Sequence, residues 1–510
     1  MGWTGVAMST VFDFNGAPGS GWSQPDPIRE ITNTEIPESL RRKRKPGWPR
    51  ASEPELVRHY TRLSQRNFGI DTGFYPLGSC TMKHNPRVNE RIVQIPGIDR
   101  IHPLQEESQV QGLLSIYFEM QEMLAVCSGM DSVTLQPVAG AQGEFTAIRC
   151  IQEYHKNRGE GHRDKVIVPD SAHGTNPASA SMCGYEIIEI PSGEDGRLDI
   201  EALKSAVGED TAAMMITNPS TLGLFETNIS EASRIVHEAG GQMYYDGANF
   251  NAIIGKTDPG RMGFDAVHYN LHKTFSQPHG GGGPGSGPIG VKAHLADFLP
   301  TPIASRRASS DDDSVGVGDG YWYFWEDVGE KSIGKVQQWN GNAGAVVRAW
   351  AFYRRYGRDL VKMSEHAVLN SNYLRHKIMN PDPEVAKRIH CMPSEGAKTD
   401  LVMHEFTLSM SPVKNLNGVT GKDVAKRLLD YGYMSPTLYF PQIVPECLMI
   451  EPTETESKEV LDKFASDLHE VLSEDPEILT SAPHTTPVKR VDEVWAARQL
   501  ILRHQGESKE

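Results

Sequence analysis

From about residue 133 to residue 291 the chain alternates short β-prone apolar runs with helical segments, and this alternation restricts the possible folds more than any other feature. Strands separated by helices pack as parallel neighbours, with the helices covering the faces of the sheet. The expected strands are 133–136, 165–168, 186–190, 212–217, 242–245, 266–269 and 289–291, with helices at 144–156 and 230–238 among the connections. The fold class is therefore α/β, built on a mostly parallel sheet. A linking helix is expected at 344–356. A strand at 400–408, a helix at 421–430 and a strand at 447–450 follow it and make a smaller C-terminal α/β domain. The tail 493–503 reads as helical, and the polar stretch 305–320 (SRRASSDDDSVGVGDG) reads as a loop. The first 75 residues, rich in Pro, Gly and charge, read as an extended arm with one amphipathic stretch, 53–65, suited to docking. The expected division is an arm at 1–75, a large domain at 76–340 and a small domain at 341–510.

A chain of 510 residues exceeds what a single core serves. Lys and Arg number 51 against 66 Asp and Glu, a net charge of −15, which argues against nucleic acid as a main partner because phosphate binding needs a concentrated basic face. The one basic block, 41–45 (RRKRK), reads as part of a solvated arm. Six cysteines are scattered without a CxxC pair, so neither a zinc site nor a disulfide framework is indicated, and a reducing, cytoplasmic compartment is expected. The opening residues lack a charged segment followed by an apolar one, so no secretory leader is expected, and the absence of Arg before position 29 disfavours a mitochondrial one. No apolar run approaches bilayer-spanning length, so no membrane partner is expected.

The chemistry-bearing residues fall at the carboxyl ends of the expected strands, where open α/β sheets bind ligands. Residues 269–287 read YNLHKTFSQPHGGGGPGSG. The apolar run of Phe264, Ala266, Val267, Tyr269 and Leu271 carries Lys273 off the sheet onto a loop flanked by His272 and His279, a setting that favours the neutral amine an imine-forming lysine requires. The glycines that follow permit close backbone approach. Lys273 thus reads as a pyridoxal-phosphate lysine. Upstream, 135–144 (LQPVAGAQGE) joins a strand to a helix, so its amides and the helix dipole suit a phosphate. His173 follows another strand and is placed to lie over a pyridine ring. Asp246 ends an apolar strand 27 residues before Lys273, where a pyridinium nitrogen would find its anionic partner. Asn218 or Thr221 is placed to hydrogen-bond a phenolic oxygen or a substrate carboxylate, and a simple β-turn is the alternative there.

Seven stretches carry a resemblance: YPLGSCTMKHNP (75–86), PVAGAQGE (137–144), SAHGTNPASA (171–180), YYDGANFNAI (244–253), HKTFSQPHGGGGPGSGPIGV (272–291), LMIEPTETES (448–457) and APHTTPVKRVDEVWAAR (482–498). Together they resemble the P-protein family of the glycine cleavage system, the pyridoxal-phosphate component of glycine dehydrogenase (decarboxylating). The resemblance implies the aminotransferase-like fold type I. It also implies pyridoxal 5'-phosphate held covalently at Lys273, Asp246 against the pyridine nitrogen and His173 stacked on the ring. Ala141 and Gln142 are implied at the phosphate, with further contacts from Thr221 and His272. The family usually has Leu or Tyr after GSCTMK where this chain has His84.

Single-chain members of the family are about twice as long, with two homologous halves. This chain resembles the lysine-bearing half, which implies a homologous partner, subunit 1, in an α2β2 assembly with active sites near the interface. The implied reaction decarboxylates glycine on the cofactor and transfers the aminomethyl group to the lipoyl disulfide of the H-protein. Loops 305–320 and 280–287 are the candidate gates for the lipoyl arm. Two other readings remain: a pyridoxal-phosphate decarboxylase or lyase for a larger amino acid, and an inactive scaffold, against which the joint presence of Lys273, Asp246 and His173 speaks.

Overall fold

The computed structural model describes residues 10–14, 36–43, 51–279, 285–310, 313, 316–392, 401–500 and 502. Parts of several expected features lie outside the described residues: 1–9, 15–35 and 44–50 of the arm, 44–45 of the basic block among them, 280–284 of the glycine tract, 311, 312, 314 and 315 of the polar loop, 400 of the strand at 400–408, and 501 and 503 of the tail. The chain divides into two units, Met1–Thr72 with Pro483–Glu510 and Gly73–Ala482. In the first, the amphipathic stretch is the helix Glu53–Ser64, started by the Ser52 amide donating to Glu55 at 2.7 Å. The tail helix is Glu493–Arg498.

The second unit holds a seven-stranded sheet of β1 (Ser132–Thr134), β2 (Lys165–Pro169), β3 (Glu186–Ile190), β4 (Thr211–Thr217), β5 (Gln242–Gly247), β6 (Ala266–Tyr269) and β7 (Ile289–Val291), in the order β1-β7-β6-β5-β4-β2-β3. The pairs β2–β3, β2–β4, β4–β5 and β5–β6 are parallel, and β7 runs antiparallel to β6 and β1. The exception has a local cause. A parallel return is usually made by a helical crossover, whereas the described residues between β6 and β7 form turns and no helix.

Alternate residues of the strands enter different cores. Ile167, Met214, Met243, Tyr245 and Val267 pack with the helices Gln111–Ser128 and Ile229–Glu238, while Val166, Val168, Met215, Tyr244 and Ala266 pack with Gly140–Asn157. Because both faces are covered, β4, β5 and β6 are buried throughout and carry apolar residues on both parities. The same parity puts Asp246 and His268 on the face under Gly140–Asn157.

Residues 305–320 are not a loop throughout. The strand β8 (Ile303–Ala308) pairs with β9 (Tyr321–Glu326). Its polar composition conceals a packed surface, since the Arg306 guanidinium lies 4.2 Å from the Tyr321 ring centroid and 4.7 Å from that of Phe118. Toward the C-terminus, β10 (His390–Met392), β11 (Phe406–Ser409), β12 (Thr437–Leu438) and β13 (Cys447–Ile450) form an antiparallel sheet in the order β10-β11-β13-β12. The strand expected at 400–408 thus begins only at Phe406, and its lead-in, Leu401–Glu405, is irregular. This sheet packs with Leu374, Val424, Leu428, Leu461 and Phe464 into a core of its own. The linking helix Ala343–Tyr356 instead buries Val346, Val347, Ala349 and Phe352 in the core of the large sheet.

Candidate active site

Lys273 leaves the sheet just beyond β6. Its backbone turns tightly, with the Lys273 amide donating to the Asn270 carbonyl at 3.0 Å and the Gln277 amide to that of Leu271 at 3.1 Å. Leu271 and Phe275 anchor the turn in the core. The side chain is only 9% exposed, and Nζ donates to the Ser79 carbonyl at 2.7 Å. Among the described residues the amine thus rests on a carbonyl, with no carboxylate in direct contact.

Asp246 ends β5, and the parallel register sets it opposite His268 on β6, with Oδ1 3.6 Å from His268 Nε2. The Ala248 amide donates to the same oxygen at 2.9 Å. Burial works to raise the Asp246 pKa, but the groups around it, the Ala248 amide and the Lys273 amine among them, outweigh it and hold the carboxyl below its usual range. On the far side of His268, Nδ1 lies 2.6 Å from the Tyr244 hydroxyl. Burial pushes the His268 pKa down to about 4 and that of Tyr244 well up, so the phenol donates to Nδ1 and the imidazole proton sits on Nε2, facing Asp246. The outcome is an ionised carboxylate in a dry strand end, backed by a neutral histidine.

His173 follows β2. Its Nδ1 accepts from the Thr175 amide at 3.2 Å, and the Thr175 hydroxyl donates to Glu144 at 2.7 Å, which ties the histidine loop to the first turn of Gly140–Asn157. Burial lowers the His173 pKa, so its ring is neutral. Burial and the neighbouring Asp246 raise the Glu144 carboxyl to about 8.

The helix Gly140–Asn157 starts without a side-chain cap, and its first backbone bond runs from the Gly143 amide to the Ala139 carbonyl. The N–H groups before Gly143 therefore lie outside the helical ladder. Ala141 is exposed beside them. The Gln142 side chain braces the turn, accepting from the Val138 amide at 2.7 Å and donating to the Val336 carbonyl at 2.8 Å. Across the turn runs the end of the glycine tract. The Gly287 amide donates to the Pro137 carbonyl, and a Cβ on Gly287 would come within 2.0 Å of the Ala139 oxygen. The described part of the tract thus makes a close crossing of the anion turn.

The structure brings Lys273, Asp246 and His173 into one electrostatic neighbourhood, with Ala141 and Gln142 at the helix start beside them. His272 is half-buried with its ring 5.4 Å from that of His279, and burial pushes its pKa down to about 3. Thr221 is turned inward, its hydroxyl donating to the Ser171 carbonyl at 2.7 Å, and the Asn218 carboxamide oxygen accepts from the Glu226 amide at 2.9 Å. Both therefore tie loops together. Around the lysine loop, Asn270 Nδ2, His272 Nδ1, Thr274 Oγ1 and Ser286 Oγ are buried with no hydrogen-bond partner among the described residues. Buried polar atoms are rarely left so. Together with an uncapped helix start, an ionised buried carboxylate and an amine, they fit a phosphorylated aromatic aldehyde.

Sequence reasoning did not single out His268, Tyr244, Ser79, Glu405 or Glu451. Period-two alternation put His268 on the Asp246 face if both runs were strands, but which strand neighbours which is a tertiary matter.

Residues 142–282 match the family model described as aminotransferase class-V, and residues 363–489 match that of the glycine dehydrogenase C-terminal domain. The "probable glycine dehydrogenase (decarboxylating) subunit 2" of Thermococcus gammatolerans is 51% identical over 496 residues, covering 96% of this chain and 95% of the relative. The protein of the same name from Staphylococcus saprophyticus is 49% identical over 513 residues, 98% of each chain. A solved structure of a glycine decarboxylase (P-protein) of the glycine cleavage system, in inhibitor-bound form, superposes with a TM-score of 0.67 at 18% identity, over 86% of this chain and 93% of that one. That likeness shows the fold, the aminotransferase-like fold type I of pyridoxal-phosphate enzymes. Identity near one half along almost the whole length shows more: the chain belongs to the glycine dehydrogenase (decarboxylating) subunit 2 family.

Proposed function

We propose that this protein is the lysine-bearing subunit of a glycine decarboxylase, which binds pyridoxal 5'-phosphate covalently at Lys273, removes carbon dioxide from glycine and passes the aminomethyl group to the lipoyl disulfide of the H-protein. The names of relatives sharing about half of its residues support the reaction. The observation that carries the site is the meeting of Lys273, Asp246 and His173 beside an uncapped helix start.

The cofactor, when bound, supplies the sink for the electrons released as carbon dioxide departs. The chain's residues hold it ready. Asp246, kept ionised, would hold a proton on the ring nitrogen, with His268 behind that carboxylate. His173 would offer the ring an uncharged surface. The amides at Gly140–Gln142 would take the phosphate, and the Ser79 carbonyl accepts from the Lys273 amine when it is free.

Subunit 2 in the relatives' names supports a homologous subunit 1 as partner, and an α2β2 assembly and the lipoylated H-protein belong to the same reading. Six free cysteines suit a reducing, cytoplasmic setting. Separate cores around the large and C-terminal sheets support a large and a small domain.

Lys273→Ala tests the reading. In the complex with subunit 1 it is expected to lose both the absorbance of lysine-bound cofactor and the glycine-dependent exchange of labelled bicarbonate. Exchange at the wild-type rate would overturn the assignment. Exchange with a larger amino acid in place of glycine would redirect it to another decarboxylase.

A further inference from the structure

Two carboxylates that the proposed mechanism leaves unused stand behind the lysine. Glu405 precedes β11 and Glu451 follows β13, and the antiparallel register Phe406–Ile450 brings them side by side. Both are fully buried, and with His404 they present ligand atoms within 4.8 Å of one another. Each holds one amide of the Ser79–Thr81 loop, with the Ser79 amide donating to Glu405 Oε2 at 2.7 Å and the Thr81 amide to Glu451 Oε2 at 3.0 Å. Each also accepts from an asparagine of the segment after Asp246, Asn249 to Glu405 at 3.4 Å and Asn251 to Glu451 at 3.2 Å.

The loop they hold is strained. Ser79 and Thr81 have φ of 67° and 43°, left-handed values that side chains disfavour. Two backbone bonds to buried carboxylates keep the shape, and its product is the Ser79 carbonyl under Lys273 Nζ.

Two buried carboxylates this close do not both ionise. Burial and mutual repulsion raise Glu405 to about 8, and burial raises Glu451 to about 7. The charged or titratable groups acting on the pair are Lys273, Glu454, Cys80 and Cys447, and His404 lies with its Nε2 3.6 Å from Glu405. Burial pushes His404 down to about 3, and its ring nitrogens have no hydrogen-bond partner among the described residues, so it adds no charge. Lys273 is the nearby cation, and a pair holding one proton carries the single negative charge that balances it.

We propose that Glu405 and Glu451, sharing one proton, are positioning residues for Lys273: they fix the Ser79–Thr81 loop whose carbonyl receives the free lysine amine, and their one negative charge balances the ammonium. The inference rests on Lys273 being the cofactor lysine.

Glu405→Gln, Glu451→Gln and the double variant test it in the full chain with subunit 1, by titrating the absorbance of the lysine-bound cofactor with pH. Glutamine keeps one acceptor oxygen for the loop amide and gives up the one that faces the asparagine, so each single variant loosens the hold on the Ser79–Thr81 loop while sparing the charge. In each single variant the remaining carboxylate takes the whole charge, so the midpoint is expected to stay near the wild-type value. In the double variant the charge is gone, and the midpoint falls by about one pH unit while cofactor capture slows roughly tenfold. A double variant that titrates at the wild-type pH overturns the proposal. Should the double variant fail to fold, the singles carry the test, with slower cofactor capture expected in at least one and wild-type capture in both overturning it. If wild-type protein itself shows no lysine-bound absorbance, the cofactor assignment has failed instead, so the two failures are distinct.

Discussion

At the scale of the residue, the site depends on keeping charge on one group and off its neighbours. Asp246→Asn keeps the shape of the strand end but removes the anion, so cofactor binding is expected to persist while glycine-dependent exchange falls by about a hundredfold or more, measured with saturating cofactor. Tyr244→Phe removes one donor from His268 Nδ1 and is expected to cost less than about tenfold, the usual weight of one neutral hydrogen bond. Glu226 offers a test of burial by pH. It is 4% exposed, accepts from the Leu198 amide at 3.0 Å, and burial raises its pKa to about 7. A carboxyl raised in the folded state stabilises the fold while protonated, and that contribution is lost as pH rises from the ordinary carboxylate range through about 7. Glu226→Gln is therefore expected to melt a few degrees above wild type at pH 8 and to show no such gain at pH 4, with about 3 kcal/mol as the ceiling.

Among the elements, the turn 137–143 and the strand of chain at 285–287 act as one piece. Gly287→Ala forces a Cβ into the Ala139 carbonyl, so it is expected to weaken pyridoxal-phosphate affinity and to cost about 1–3 kcal/mol of stability, read by absorbance titration and by melting. Gly112→Ala, in the first turn of Gln111–Ser128 with open space at the new methyl, is the contrast and is expected to be neutral or slightly stabilising. The elements also show where pattern reading succeeds. β3, β6 and β7 were legible to the residue because each is a short run rich in β-branched or aromatic residues that stops at a turn, inside the sheet for β6 and β7 and at its edge for β3. β8 was not, since arginines that pack on aromatic rings look like solvated charge in one dimension.

Across the whole second unit, the GSCTMK segment ties the parts together. Lys83 is 4% exposed and its Nζ bonds Glu454 Oε1 at 2.6 Å and the Thr274 carbonyl at 2.9 Å, joining the C-terminal portion to the lysine loop. Lys83→Ala leaves Glu454 buried without its cation and is expected to cost about 3–5 kcal/mol in denaturant unfolding. Leu77 bridges Ile450 and the Gly78 amide donates to the Met449 carbonyl, so the same segment runs along the second sheet. The sequence by itself determined the α/β class and the approximate place of each strand of the large sheet, and it marked Lys273, Asp246 and His173 as candidates, because periodicity and turn chemistry are local and each of these residues sits near where a local pattern stops. Only the tertiary structure decided that His268 backs Asp246, that Thr221 turns inward, and that Glu405 and Glu451, from the C-terminal sheet, hold the loop beneath the lysine. Those arrangements depend on register and on contacts between segments as many as 370 residues apart, and a one-dimensional pattern carries no record of which strand lies beside which.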